Sequence, residues 1–200
     1  MNIGLISSYV IGGIVLIGIL TLSTTLSTNT SELTLSQIKK EELNTINDLI
    51  SYDLPKIGYN RTSLTDTLIV KADSSQLWFK SNIDNSADES VETVKWIVST
   101  DPVSSTANPD DFKVERWVDG NKTTIASGVT GFTFQYFDAH GASTPMAVPV
   151  TGTDIENIKQ IEIEVILQSS EKIKYTPGTD GRYLSSSWRK RFSPVNLTNN

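Results

Sequence analysis

The sequence predicts an α+β protein: one long N-terminal α-helix, apolar in its first half and amphipathic in its second, packed on an antiparallel β-sheet. Three observations carry this prediction. Residues from Ile3 to Leu22 include no charge and no proline, and about 20 such residues is the length a membrane-spanning helix needs. The next stretch repeats apolar residues at helical spacing. From Asp66 onward the pattern becomes short β-branched and aromatic runs separated by Gly, Pro, Asn and Asp. The chain therefore divides into an apolar helix segment (1–23), an amphipathic half-helix (24–58) and a β-rich globular head (59–200).

The first segment is too long for the apolar region of a signal peptide, roughly 7–15 residues behind a basic stretch. No Lys or Arg occurs before Lys39, so a retained membrane-embedded helix is expected. Gly4, Ser8 and Gly12 recur at spacing four and share one stripe. Small residues at that spacing let a second helix backbone approach closely, which is how helices associate where lipid supplies no hydrophobic drive.

In the second segment Leu35, Ile38, Glu42, Leu43, Ile46, Leu49 and Ile50 include the i, i+3, i+4 repeats of an amphipathic helix, with Lys39, Lys40, Glu41, Asn47 and Asp48 expected largely on the other side. The Ser- and Thr-rich stretch around residues 21–31 lowers helix propensity, predicting a kink or loosening there. Pro55 and Gly58 close the helix.

The head reads as seven short strands: "TLIVKA", "SQLWFKS", "TVKWIVST", "FKVERWVD", "KTTIAS", "GFTFQYFD" and "IKQIEIEVILQS". "VDGNK" carries hairpin-turn chemistry. Ile161, Ile163 and Val165 alternate with Glu162 and Glu164, the signature of a strand with one face on a core and one in water. The tail from Tyr175 is polar with scattered aromatics and is expected to fray at its end.

Composition narrows function. Lys and Arg total 17 against 23 Asp and Glu, a net charge of −6, which argues against nucleic-acid binding. With no cysteine, disulfides, thiolate metal sites and thiol nucleophiles are excluded. The sole histidine, His140, sits in a turn-rich stretch without converging partners. No recognised catalytic motif occurs, so no enzyme activity, cofactor or metal is expected. Asp84, Asp88 and Glu89 lack the ligand density of a Ca²⁺ loop. Trp78, Trp96, Trp117 and Trp188 are expected as core and sheet-edge aromatics, a sugar-stacking platform being the alternative.

Several motifs, in order, resemble those of type IV pilin-like proteins. "NTINDLISYDLPKIGYN" is similar to the helix end of minor pilins of the PilW type and of J-type minor pseudopilins of type II secretion. "VKWIVST" and "FKVERWVDGNKTTIASGVTGFTFQYFDAHG" resemble their central strand block, carried here by Ile125, Ala126, Val129, Phe132, Phe134, Tyr136, Asp138 and Gly141. "IKQIEIEVILQSS" resembles the strand that follows, and "WRKRFSPVNLTNN" the closing segment, with Val195 in place of the usual Arg.

The resemblance implies a pilin fold and a non-enzymatic structural subunit. Such a subunit is held in the bacterial inner membrane with its head outside the cytoplasm, then assembled with other pilin-like subunits into a filament or pseudopilus. Gly4, Ser8 and Gly12 would be the helix–helix contact; Tyr9, Arg189, Lys190 and Arg191 would be further subunit contacts. The family's precursors carry a basic leader, a Gly at the cleavage point and a Glu five residues later; here Gly4 precedes Leu5 and Tyr9 stands where that Glu would fall. The alternative expectation is a single-pass, membrane-anchored accessory or binding subunit that does not polymerise. Lys39 and Lys40, offset by Glu41 and Glu42, bias topology only weakly toward a cytoplasmic head.

Overall fold

The computed structural model describes residues 3–60, 67–86, 91–101, 103–104, 106–173 and 180–198. One helix, α1 (Ile3–Asp53), runs for 51 residues, about 75 Å at 1.5 Å per residue. The helix does not break in the Ser- and Thr-rich stretch: between Gly18 and Pro55 the chain has neither Gly nor Pro, and α1 stays continuous. The hydroxyls of Thr21, Thr24, Thr25, Thr28, Thr30, Ser31 and Thr34 each donate to a carbonyl three or four residues back, at 2.9–3.0 Å. Their competing hydrogen bonds fold back onto the helix rather than opening it. A 3₁₀ turn (Leu54–Lys56) follows, and Gly58, at φ +71°, turns the chain away.

The head is a single seven-stranded antiparallel meander in sequence order: β1 (Ile69–Ala72), β2 (Gln76–Ser81), β3 (Glu92–Val98), β4 (Phe112–Val118), β5 (Asn121–Phe137), β6 (Gln160–Gln168) and β7 (Ser185–Phe192). The α+β arrangement is as the sequence predicts. Val118 pairs with Asn121 across a two-residue loop in which Asp119 and Gly120 both have positive φ, the backbone a tight hairpin demands. Two details differ. "KTTIAS" and "GFTFQYFD" are not separate strands but one 17-residue strand, β5, whose irregularity at Gly128 (φ +86°) and the register shift between Val129 and Gly131 bend it without ending it. The polar tail contributes the edge strand β7 and a last helical turn, α2 (Val195–Thr198).

The helix docks through a stripe spaced 4, 3, 4, 3: Lys39, Leu43, Ile46, Ile50 and Asp53 are its buried residues. It lies across β5, β6 and β7. Leu77, Phe79, Val94, Trp96, Val114, Phe132, Phe134, Tyr136, Ile161, Ile163, Val165 and Leu167 rise from the sheet to meet it. Lys39 was expected on the solvent side; instead it extends the buried stripe, while Ile38 is 44% exposed.

Candidate functional site

Two surfaces of the helix carry functional information. The first is the stem before the sheet begins. Thirteen large apolar side chains between Ile3 and Leu22 are 44–77% exposed, and the helix is long and apolar enough to cross a membrane. On this rod Gly4, Ser8 and Gly12 form the small-residue ridge. Ser8 Oγ donates to the Gly4 carbonyl at 3.0 Å, so the ridge presents no unsatisfied hydroxyl. A Cβ added at Gly12 would meet nothing within 4 Å. Gly4, Leu5, Ser8 and Tyr9 border a shallow notch, with Tyr9 75% exposed beside it. The structure thus brings Tyr9 to the same notch as Gly4 and Ser8.

The second surface is the joint between helix and sheet. Asp53, the last residue of α1, is fully buried. Its carboxylate accepts from Arg116 Nε (2.6 Å) and Nη2 (2.8 Å), and from the Trp96 indole N–H (2.9 Å). A carboxylate at a helix C-terminus opposes the macrodipole; the two-pronged guanidinium counters this and ties the end of the helix to β3 and β4. At the other end of the stripe, Lys39 Nζ pairs with Glu42 at 2.8 Å. It lies 3.1 Å from where a Cβ on Gly128 would sit, and the Asp111 carboxylate lies 3.9 Å from that point. A side chain there would crowd the lysine tip and strain the backbone at φ +86°.

Around the helix exit, Gly58 N–H donates to the Lys80 carbonyl at 2.8 Å and Ser81 Oγ to the Lys56 carbonyl at 2.7 Å. Asn196 Nδ2 donates to the Ile57 carbonyl at 2.9 Å. Both β2 and α2 therefore clasp the end of the stem. Neither Asp53 nor Arg116 stands out in the sequence as a site. The available signal was the position of Asp53, three residues after Ile50 on the buried stripe, where a charge requires a partner.

The basic run of β7 is divided by the pleat. Arg189 and Arg191 lie on the face away from the helix, both bonded to Glu162; Arg191 Nη1 also donates to the Ala142 carbonyl at 2.7 Å. Burial alone would raise the Glu162 carboxyl, but the hydrogen bonds and charges of the two arginines outweigh it and hold it below its ordinary value. Lys190 points the other way and donates to Ser51 Oγ on α1 at 3.1 Å.

The tryptophans divide as well. Trp96 is core, and Trp188 packs against the core, whereas Trp78 and Trp117 are half-buried on the outer face. Asp84 forms a local turn, its Oδ1 accepting from Ser86 N–H at 2.8 Å; Asp88 and Glu89 lie outside the described residues. His140 is exposed. Among the described residues no group of three or more His, Cys, Asp or Glu could hold a metal ion. A cleft of about 520 Å³ is lined by Asp138, Met146, Thr151, Asp154 and Lys159 among others, but Lys159 Nζ donates to the Leu197 carbonyl at 2.9 Å.

Compared with protein-family models, with curated proteins and with solved structures, the chain finds no match.

Proposed function

We propose that the protein is a non-enzymatic structural subunit of a type IV pilin-like filament or pseudopilus, held in the bacterial inner membrane before assembly and assembled through its N-terminal helix. The observation that carries this reading is a single continuous helix with two different surfaces. One half is spent on the sheet; the other exposes an apolar rod with a small-residue ridge. Such a rod is untenable in water. At about 25 cal/mol per Å² of apolar area, thirteen half-exposed large side chains gain on the order of 10–20 kcal/mol on burial, in lipid or among other helices.

The joint supports the filament reading further, because Asp53, Arg116 and Trp96 make stem and head one rigid lever. A subunit that stacks helically needs a fixed angle between its stem and its outward-facing head. The sequence motifs resembling minor pilins of the PilW type and J-type minor pseudopilins point to the same class. A single-pass anchored accessory subunit that does not polymerise is the second reading, favoured by Tyr9 at the position where pilins place their glutamate.

The test is to shear cells and sediment the released material. Native protein is expected in the high-speed pellet as filaments, and Leu16→Glu, which puts a charge in the stem, abolishes its recovery there. Native protein recovered only with the inner membrane contradicts the filament and supports the anchored accessory subunit.

A further inference from the structure

The outer face of the sheet carries a feature that the stem does not explain. Five residues on five consecutive strands are paired directly in register: Lys71 with Trp78, Trp78 with Lys95, Lys95 with Trp117, and Trp117 with Lys122. Directly opposed residues of an antiparallel ladder share a face. Their neighbours Leu77, Phe79, Val94, Trp96 and Arg116 point to the helix side, where Trp96 and Arg116 reach Asp53. The row Lys–Trp–Lys–Trp–Lys therefore faces away from α1.

The ammonium groups lie near the rings, and Lys71 Nζ also donates to Gln76 Oε1 at 2.9 Å. Lys71 Nζ lies 5.2 Å and Lys95 Nζ 4.4 Å from the Trp78 ring centroid, and Lys122 Nζ lies 5.6 Å from that of Trp117. Lys95, at the centre, makes no hydrogen bond or ion pair among the described residues. Lys122 is partly offset by Glu115 at 2.9 Å, and Lys80 adds a further cation on the same face of β2. The Trp78 Nε1–H is enclosed without an acceptor. In a chain of net charge −6, this is a concentration of positive charge with a fixed spacing. Strands lie ~4.8 Å apart, so the backbone positions of successive lysines of the row sit ~10 Å apart and the row spans ~19 Å.

We infer that this row is a binding surface for an acidic polysaccharide carrying one carboxylate per disaccharide. Such a polymer places its charges two sugar rings apart, which matches two strand spacings. A single-stranded nucleic acid fits less well. Its charges are closer together than the lysines. Its bases need exposed ring faces to stack on, and here lysines occupy ring faces. The net negative charge also disfavours the denser polyanion. The inference does not depend on how the stem assembles.

The experiment titrates the full chain in detergent micelles with hyaluronan oligosaccharides, followed by tryptophan emission. Dextran, polygalacturonate and a thymidine oligonucleotide are the comparison probes. Hyaluronan is expected to bind most tightly and dextran not at all. Lys95→Glu weakens hyaluronan binding at least tenfold with an unchanged unfolding midpoint, and the milder Lys95→Gln weakens it less. Lys172→Glu, a lysine over the Tyr183 ring but outside the row, leaves it within twofold. Absence of hyaluronan binding, equal or tighter binding of the oligonucleotide, or an equal loss with Lys172→Glu would each overturn the assignment.

Discussion

Removing the Asp53 carboxylate tests whether stem and head are one lever. In Asp53→Ala the Arg116 guanidinium loses its two-pronged partner and the Trp96 indole loses its acceptor. Unpairing one member of a buried ion pair costs about 3–5 kcal/mol. The Arg116 side chain is 18% exposed, so its tip can reach water, which puts this term near ~3 kcal/mol. Trp96 is 1% exposed, so its orphaned N–H adds ~1 kcal/mol or more. The expected loss is about 4 kcal/mol, a large fraction of the ~5–15 kcal/mol that holds a typical domain together.

Arg116→Leu should cost at least as much, since it strands a carboxylate that is fully buried. The double variant Asp53→Leu with Arg116→Met removes both charges and should lose well under the sum of the single losses, because paired groups couple. The assay is urea unfolding of the full chain in detergent, read by tryptophan emission. A loss below ~1 kcal/mol for Asp53→Ala, or additive losses in the double variant, would show that the pair does not lock the joint.

Three further outcomes follow from the packing and the charges. Ile50→Ala deletes a fully buried contact between helix and sheet and should cost about 2–5 kcal/mol in the same unfolding assay. Gly58→Ala forces a Cβ at φ +71° to within 2.8 Å of Leu68 Cδ2; strain and crowding together should exceed ~2 kcal/mol, and a neutral result would mean that the helix exit is not held as described. Glu162 titrates below its ordinary value of 4.5, so its bonds to Arg189 and Arg191 contribute fully above about pH 4.5 and are lost as pH falls through the lower folded-state value. The stability gap between native protein and Glu162→Gln should therefore be constant near neutrality and close in acid; a gap unchanged down to pH 2 would refute the pairing.

Much of this architecture is legible in the residues, because two periodicities do the work. The apolar run of Ile3–Leu22 and the alternation of Ile161, Ile163 and Val165 against Glu162 and Glu164 read directly as helix and half-buried strand. What escapes is whatever depends on a distant partner. Lys39 looks like a solvent-side charge until the sheet brings Gly128 near its tip, and the partner of Asp53 shows only when the sheet brings Arg116 beside it. Local propensity misleads at the Ser- and Thr-rich joint, where hydroxyls bond back to the helix, and at Gly128, where a bulge rather than a turn absorbs the glycine. The Lys–Trp row is invisible in sequence because its members are spread over Lys71 to Lys122 and meet only through register.

The central claim, that the exposed stem is an assembly surface, is tested most directly by cysteine crosslinking, which the absence of native cysteine makes clean. Ser8→Cys and Gly12→Cys together, oxidised in the membrane and after filament extraction, should give a ladder of species extending well beyond dimer. A product no larger than a dimer would contradict assembly through the stem and leave the helix as an anchor.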